Sequence, residues 1–408
     1  MRTSHGIAAA LTAGFQLAAA RPCGGGNNNN NSTAESAHLW VTTYPAVWGQ
    51  SGKVITLQLA HSRLTSVAES EACGVNPSWL TQAGDVLYCV NEAWGAPQGD
   101  LYALAIGSNA AVTRLGGAKT RPGPVSNTVY GNNGRGLAVA NYAGAGIDTF
   151  NVEDPSAITL IKTEGYAPPG DNQSPPQDVS RPHQAVLDPT GDFLVFPDLG
   201  ADVLRVFKVN KETLEHEIKE GFVYPPEERG TGPRHVAFYK AGDKTFLYVV
   251  AELKNLIQGF SVEYTGDDLK LTRVFNATTH GDDQALPSGT AAAEIYVSPD
   301  GKFITLSSRN ERSLEFTLAD GTTVPSDPLI TFKVDHESGA LELVQVAPAG
   351  GINPRHFSFN KDGTLVASAA QSDSRIVVFR RNVATGEIGE AIAEAIVEGN
   401  PNSVIFQQ

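Results

Sequence analysis

Positive charge is scarce in this chain. Thirty lysines and arginines face 44 aspartates and glutamates, a net charge of −14. No region supplies the basic footprint that phosphate backbones require, so nucleic acid is excluded as a partner. Long apolar runs are missing as well: the only one lies at the extreme N-terminus, which leaves no credible membrane span. Cysteine is limited to Cys23, Cys73 and Cys89. Cys73 and Cys89 are a candidate disulfide in an oxidising compartment or, equally, two buried thiols, because spacing alone does not fix their geometry. No G-x-S-x-G elbow stands in a strand–turn–helix context, which argues against a serine hydrolase.

What is present begins with the first 20 residues. Arg2 and His5 precede an apolar run from Gly6 to Leu17, and Ala18-Ala19-Ala20 offers a small-residue cleavage site. Residues 1–20 are therefore predicted to be an export signal, and the protein to be secreted. Arg21 and Pro22 make Cys23 a poor lipid-attachment site. Residues 21–37, with the polar tract Gly24 to Asn31, are predicted to form a disordered linker. Asn30, Asn31, Asn172 and Asn276 each open a glycosylation sequon, that of Asn172 followed by Pro175.

The remainder, 38–408, is organised by a repeat. The stretch Gly232 to Leu253 reads as a β-hairpin, with two runs of aromatic and β-branched residues flanking a turn at Gly242. The same unit recurs at Gly84, Gly134, Gly191, Gly301 and Gly363, about 50 to 60 residues apart, and LRVFKV (204–209), LIQGFSV (256–262), LITFKV (329–334) and RIVVFRR (375–381) supply third strands. A seventh unit is split between Leu39–Leu59 and Val404–Phe406. The expectation is an all-β, single-domain, seven-bladed propeller of four-stranded blades, closed by pairing N- and C-terminal strands in one blade.

In an antiparallel hairpin the start of the first strand lies beside the end of the second, so both positions should surround one channel mouth. Counting back eight residues from each turn glycine gives Ser126, His183, Arg234, Ala293 and Arg355, with Ser78 aligned by its proline. Next to them stand Asn127, Gln184, His235, Glu294 and His356. Counting forward gives Glu92, Tyr142, Leu199, Arg309 and Gln371, and Glu252 by a two-residue shift. Arginines, histidines and glutamates thus concentrate on one rim, as they do where ligands bind. Blade-to-blade salt bridges are the structural alternative. Trp79, Phe238 and Phe357 follow the first-strand motifs and are assigned to the core. The long loops Tyr166–Val179 and Thr278–Gly289 are candidates to cover a channel mouth.

With the repeats in register, the sequence resembles the seven-bladed lactonase propellers: bacterial-type 6-phosphogluconolactonases and fungal 3-carboxy-cis,cis-muconate cyclases. The resemblance rests on NPSWL, Asn91-Glu92, RPHQAVLDPTGDFLVFPDLGAD, GPRHVAFY, Ala251-Glu252-Leu253, AAAEIYVSPDGKF, SSRN, NPRHFSFNKDG and AAQSDSRIVVF. It implies a catalytic set of His183, Arg234, Glu252 and Arg309, with Ala251 and Ser308 replacing the family's usual asparagines. Glu252 would be the general base or acid and His183 its proton-transfer partner, while the arginines grip an anion. His235, Glu92, Glu294, Arg355, His356 and Gln371 are assigned to substrate binding. The expected substrate is a small anionic lactone or a muconate-like acid. No metal or other cofactor is required, and a calcium-type site is disfavoured because Arg234, Arg309 and Arg355 would repel the cation. The alternative is a secreted, non-catalytic propeller that binds carbohydrate, a wall component or a protein.

Overall fold

The computed structural model describes residues 36–47, 49–169, 175–281 and 286–408. The predicted signal, the linker up to residue 35 and three of the four sequons lie outside these residues; Ser36 and Ala37, assigned to the disordered linker, instead begin the strand Ser36–Tyr44, where they pair with Ala60 and Leu59. Asn276 is exposed on the strand Asp268–Thr278, its amide oxygen accepting a hydrogen bond from Gln258 Nε2 at 2.9 Å.

Seven four-stranded antiparallel sheets follow one another along the chain. Six are built from consecutive segments, beginning at Pro77, Pro124, Val186, Pro233, Ala291 and Pro354. The remaining blade joins both ends of the fold: Ser36–Tyr44 pairs on one side with Lys53–Ala60 and on the other with Asn400–Phe406, Val41 opposite Val404. The predicted ring closure is therefore present. The blade that begins at Ala291 holds an unanticipated hairpin, Leu314–Thr317 and Thr323–Ser326, inserted between its second and third strands. Cys73 and Cys89 are bonded to each other, which decides between the two readings of those residues.

The period-2 strand pattern gives way to continuous burial in middle strands such as Phe193–Asp198, because both faces meet a neighbouring blade. Apolar side chains fall into seven clusters, each shared by two adjacent blades. Phe193, Val195, Leu204 and Val206, for instance, pack on Val236, Leu247, Val249 and Phe260. Burying a side chain of this size contributes roughly 1.5–3 kcal/mol. Trp79 and Phe357 are buried as assigned, whereas Phe238 is half-buried at the opposite channel mouth.

One detail repeats at the start of the first strands and prepares the site. Proline cannot donate to the ladder, and a bulge follows it in five blades, at Ser78, Val125, Arg234, Arg355 and Asn402. A bulge sets two residues against one on the partner strand and re-aims a side chain. Val125, Arg234 and Arg355 line one mouth of the channel. The residues that follow the bulge turn inward: Trp79 meets the rings of His235 and His356 at 5.5 and 5.1 Å.

Candidate active site

The opposite side of the same mouth is fixed by the ends of the second strands. In five blades the amide just beyond that strand donates to the carbonyl one residue before the opening proline: Glu92 to Asn76, Tyr142 to Gly123, Leu199 to Arg181, Glu252 to Gly232 and Gln371 to Asn353, at 2.8–3.0 Å. Counting from the turn glycines identified these equivalent positions correctly. The count failed for Ser126, because the longer turn around Gly134 shifts that blade by one residue, and Val125 takes the rim position instead. Gly232 is required where it stands. Its φ is +66°, and a Cβ there would lie 2.5 Å from Leu253 Cγ.

The mouth opens into a cavity of about 600 Å³ lined by His183, Arg234, Glu252, Arg309, Arg355, Glu92 and Gln371, together with Tyr44, Trp94 and Tyr142. All four residues of the predicted catalytic set are therefore brought together. Arg234 Nε lies 2.8 Å and Arg309 Nη2 3.0 Å from the same oxygen, Glu252 Oε2. Arg234 is 1% exposed and gives a further bond from Nη1 to Ala293 O at 2.7 Å. Arg309 donates to the carbonyls of Ala291 and Ala292, both at 3.2 Å. Its position is further secured by buried Asp327, which accepts from the amides of Asn310 and Arg312 and also from that of Asn353, two residues before Arg355. Asp327 thus positions two of the arginines. No repeat signal pointed to it.

The second wall centres on Glu92, which accepts from the Tyr44 hydroxyl and from Trp94 Nε1. Tyr44 could have been found by extending the register to the closing blade, where it pairs with Asn400. The Arg355 guanidinium lies over the Tyr44 ring, 5.8 Å from its centroid, and has no hydrogen-bond or ion-pair partner among the described residues. Three guanidiniums against two carboxylates leave this lining with one net positive charge. Gln371 accepts from Asn353 Nδ2 at 3.1 Å. No described residue of the long loops Tyr166–Val179 and Thr278–Gly289, which run partly outside the described residues, lines the cavity.

His235, Glu294 and His356 are not part of the lining. They sit beneath it, 2%, 0% and 2% exposed, because they follow the bulge rather than occupy it. Their assignment to direct substrate binding is corrected accordingly. Among the described residues no group of three or more His, Cys, Asp or Glu is arranged to hold a metal ion.

The electrostatics follow from burial and the crowd of arginines. Burial, then Arg234 and Arg355, hold the His183 imidazole well below its ordinary range, so the ring is neutral with a lone pair available. Burial would raise the Glu252 carboxyl, but Arg309 and Arg234 outweigh it and keep the group below the usual carboxylate value. Arg234 is pushed down by burial and by Arg309 to about 9, and remains charged at neutral pH. The cavity therefore combines a neutral imidazole, two guanidiniums clamped on one carboxylate, and one free guanidinium.

Comparison with known proteins agrees with this architecture. Residues 38–406 match the family model described as lactonase, 7-bladed beta-propeller. A probable 6-phosphogluconolactonase of Arthroderma benhamiae is 32% identical over 320 residues, covering 76% of this chain and 75% of that protein. A 6-phosphogluconolactonase of Formosa agariphila is 27% identical, covering 85% and 90%. Among solved structures, a putative 6-phosphogluconolactonase from Bacteroides fragilis superposes with a TM-score of 0.74 at 24% identity, covering 93% and 100%. The periplasmic gluconolactonase of Pseudomonas aeruginosa gives 0.72 at 24%, covering 91% and 99%; at such identity these two bear on the fold alone. With seven blades in a closed ring and a family match across nearly the whole propeller, the chain belongs to the seven-bladed β-propeller lactonase family.

Proposed function

We propose that the protein hydrolyses a small anionic lactone of the 6-phosphogluconolactone type in the arginine-rich cavity, with His183 as the base. The observation that carries this reading is the free guanidinium of Arg355 in the same cavity as the neutral His183 ring and the Arg234–Glu252–Arg309 cluster. Phosphate or carboxylate on the substrate would take Arg355 as a bidentate partner. The names of the relatives from Arthroderma benhamiae and Formosa agariphila support the same substrate class.

In the reaction His183 Nε2 accepts a proton from water as its oxygen adds to the lactone carbonyl carbon. The developing oxyanion lies against the remaining N–H groups of Arg234 and Arg309, which are preorganised by Glu252. Collapse restores the carbonyl and breaks the bond to the ring oxygen, which takes the proton back from His183. The hydroxy acid then ionises, so one lactone and one water yield one hydroxy-carboxylate and one proton. This moves the base from Glu252, the sequence-based choice, to His183. Glu252 Oε2 is already engaged by two cations, and its depressed pKa makes it a poor base. The coulombic depression of His183 by Arg355 is neutralised once an anion binds that arginine, so basicity rises when substrate is in place.

Export fits a chain with a bonded Cys73–Cys89 pair, since disulfides persist in oxidising compartments. The test is a pH-stat assay of the purified protein on gluconolactones, phosphorylated and not, and on carboxymuconate, alongside His183→Ala and Arg355→Ala. Loss of turnover in the folded His183→Ala variant supports the assignment. No turnover of any substrate by the wild type, with retained binding to surface glycans, would favour the non-catalytic alternative.

A further inference from the structure

The residues beneath the cavity form a hydrogen-bonded series whose donors and acceptors can be assigned from its buried end. Glu294 is 0% exposed. Its Oε1 accepts the amide N–H of Ile295 at 3.0 Å and lies 2.9 Å from His235 Nδ1. Accepting the backbone N–H marks Oε1 as the carbonyl-type oxygen of the group, which places any carboxyl proton on Oε2 and assigns His235 Nδ1 as the donor. A neutral imidazole carries one proton, which leaves His235 Nε2 as a lone pair. That atom is 3.2 Å from His183 Nδ1. His183 Nδ1 is therefore protonated, and its Nε2, the nitrogen left for the cavity, is not.

The far side of Glu294 agrees with this polarity. Val404 N–H donates to His356 Nδ1 at 3.3 Å, so the proton of that ring resides on Nε2, which lies 3.3 Å from the Tyr296 hydroxyl and 3.5 Å from Glu294 Oε2. Glu294 Oε2 itself makes no hydrogen bond, so His235 is the ring through which this carboxyl group acts. Trp79 holds the two rings edge-on, and Ser307 Oγ fixes the Glu294 backbone amide at 3.1 Å. A buried charged or acidic group with no contact to the cavity is costly to keep, and fixing a ring tautomer gives it a use.

We propose that Glu294, acting through His235, is a tautomer lock that holds the unprotonated Nε2 of His183 toward the substrate. The proposal rests on His183 as the base and deepens it: Glu294 and His235 are positioning residues, supplied by neighbouring blades and touching no reacting atom. Without the lock the Nε2–H tautomer becomes accessible, and that form can neither accept a proton from water nor return one to the ring oxygen. An amide in place of the carboxylate keeps an oxygen that accepts from both Ile295 and His235, so glutamine preserves the lock while leucine abolishes it.

The test reads the tautomer directly, by nitrogen–proton correlation spectra of the imidazoles in 15N-histidine-labelled protein, with His183 assigned through His183→Gln. In the wild type His183 is expected to show a protonated Nδ1 and a pyridine-type Nε2; a protonated Nε2 overturns the proposal without any variant of Glu294. In Glu294→Leu the two tautomers are expected to mix, and kcat to fall by between about 10-fold and the ~10⁴-fold seen where a triad histidine is held in the wrong tautomer, with KM within about threefold. Glu294→Gln is expected to restore both the spectrum and most of kcat. A folded Glu294→Leu protein with unaltered His183 signals and unaltered kcat refutes the lock. If instead the signals change while kcat does not, the lock stands and His183 is not the base, an outcome the turnover of His183→Ala decides independently.

Discussion

Replacing Glu252 by glutamine separates a carboxylate that transfers protons from one that holds arginines. Its Oε2 forms ion pairs with Arg234 Nε at 2.8 Å and Arg309 Nη2 at 3.0 Å. An amide keeps the shape but carries no charge. Contacts between charged groups contribute about 1 kcal/mol more than their neutral counterparts, so losing the charge across both ion pairs should cost about 2 kcal/mol in all. For a chain of this length that is a fall in Tm of roughly 2–4 °C. The Glu252 pKa is depressed in the fold, so its stabilisation is present above the unfolded carboxyl value and lost as pH falls through the folded one; wild type and Glu252→Gln should therefore converge in acid. If Glu252 is a clamp, kcat falls less than about 10-fold and KM rises as the guanidiniums loosen. A proton-transfer group would instead contribute about 10²–10⁴. Thermal melts and steady-state kinetics on a phosphorylated gluconolactone measure both quantities. A loss of 100-fold or more in kcat with Tm unchanged would refute the assignment of the base to His183.

Three further outcomes follow from the same geometry. Arg355→Ala should raise KM for a phosphorylated lactone by roughly 10- to 150-fold, the value of a lost hydrogen bond to a charged group, and leave KM for the unphosphorylated lactone far less affected; equal effects on both would remove Arg355 as the anion receptor. Joining residues 16 apart, the Cys73–Cys89 bond should contribute about 3 kcal/mol, so Cys73→Ala/Cys89→Ala should melt well below the wild type under non-reducing conditions, and identical melts would contradict a formed bond. Burial raises the Glu294 carboxyl to about 8, well above the usual carboxylate range, against the opposing pull of Arg234 and Arg355, with His235, His356 and Tyr296 packed around it. A raised acid stabilises the fold fully below its unfolded pKa and loses that contribution as pH rises through the folded one. Denaturant titrations should accordingly show wild-type stability declining between about pH 4.5 and 8 by at most about 5 kcal/mol, and Glu294→Gln should flatten the decline; parallel curves would show that Glu294 does not titrate there.

Much of this molecule is legible in the amino-acid order. Six copies of one hairpin plan and a seventh unit split between the two ends, with glycines at fixed turns and prolines opening most of the first strands, define the blades, the ring and the closing role of Val404–Phe406. The backbone repeats even place Glu92, Tyr142, Glu252 and Gln371 on one rim, because an identical amide-to-carbonyl bond ends each hairpin. The limits appear where two blades or two adjacent side chains must be compared. Counting residues cannot reveal a bulge, and the bulge is what directs Arg234 to the cavity and His235 beneath it. Nor can it show that Asp327 staples the loops of Arg309 and Arg355, or that the hairpin Leu314–Thr317 with Thr323–Ser326 interrupts the blade that begins at Ala291.

The sequence by itself determined which residue types stand at the mouth of the ring, since periodicity and turn chemistry are local and carry the register from blade to blade. Only the tertiary structure decided their surroundings. Protonation and hydrogen-bond direction depend on burial and on neighbours about 50 to 60 residues away: two arginines converging on Glu252 make a clamp of it, and the buried series from Glu294 through His235 sets the proton of His183.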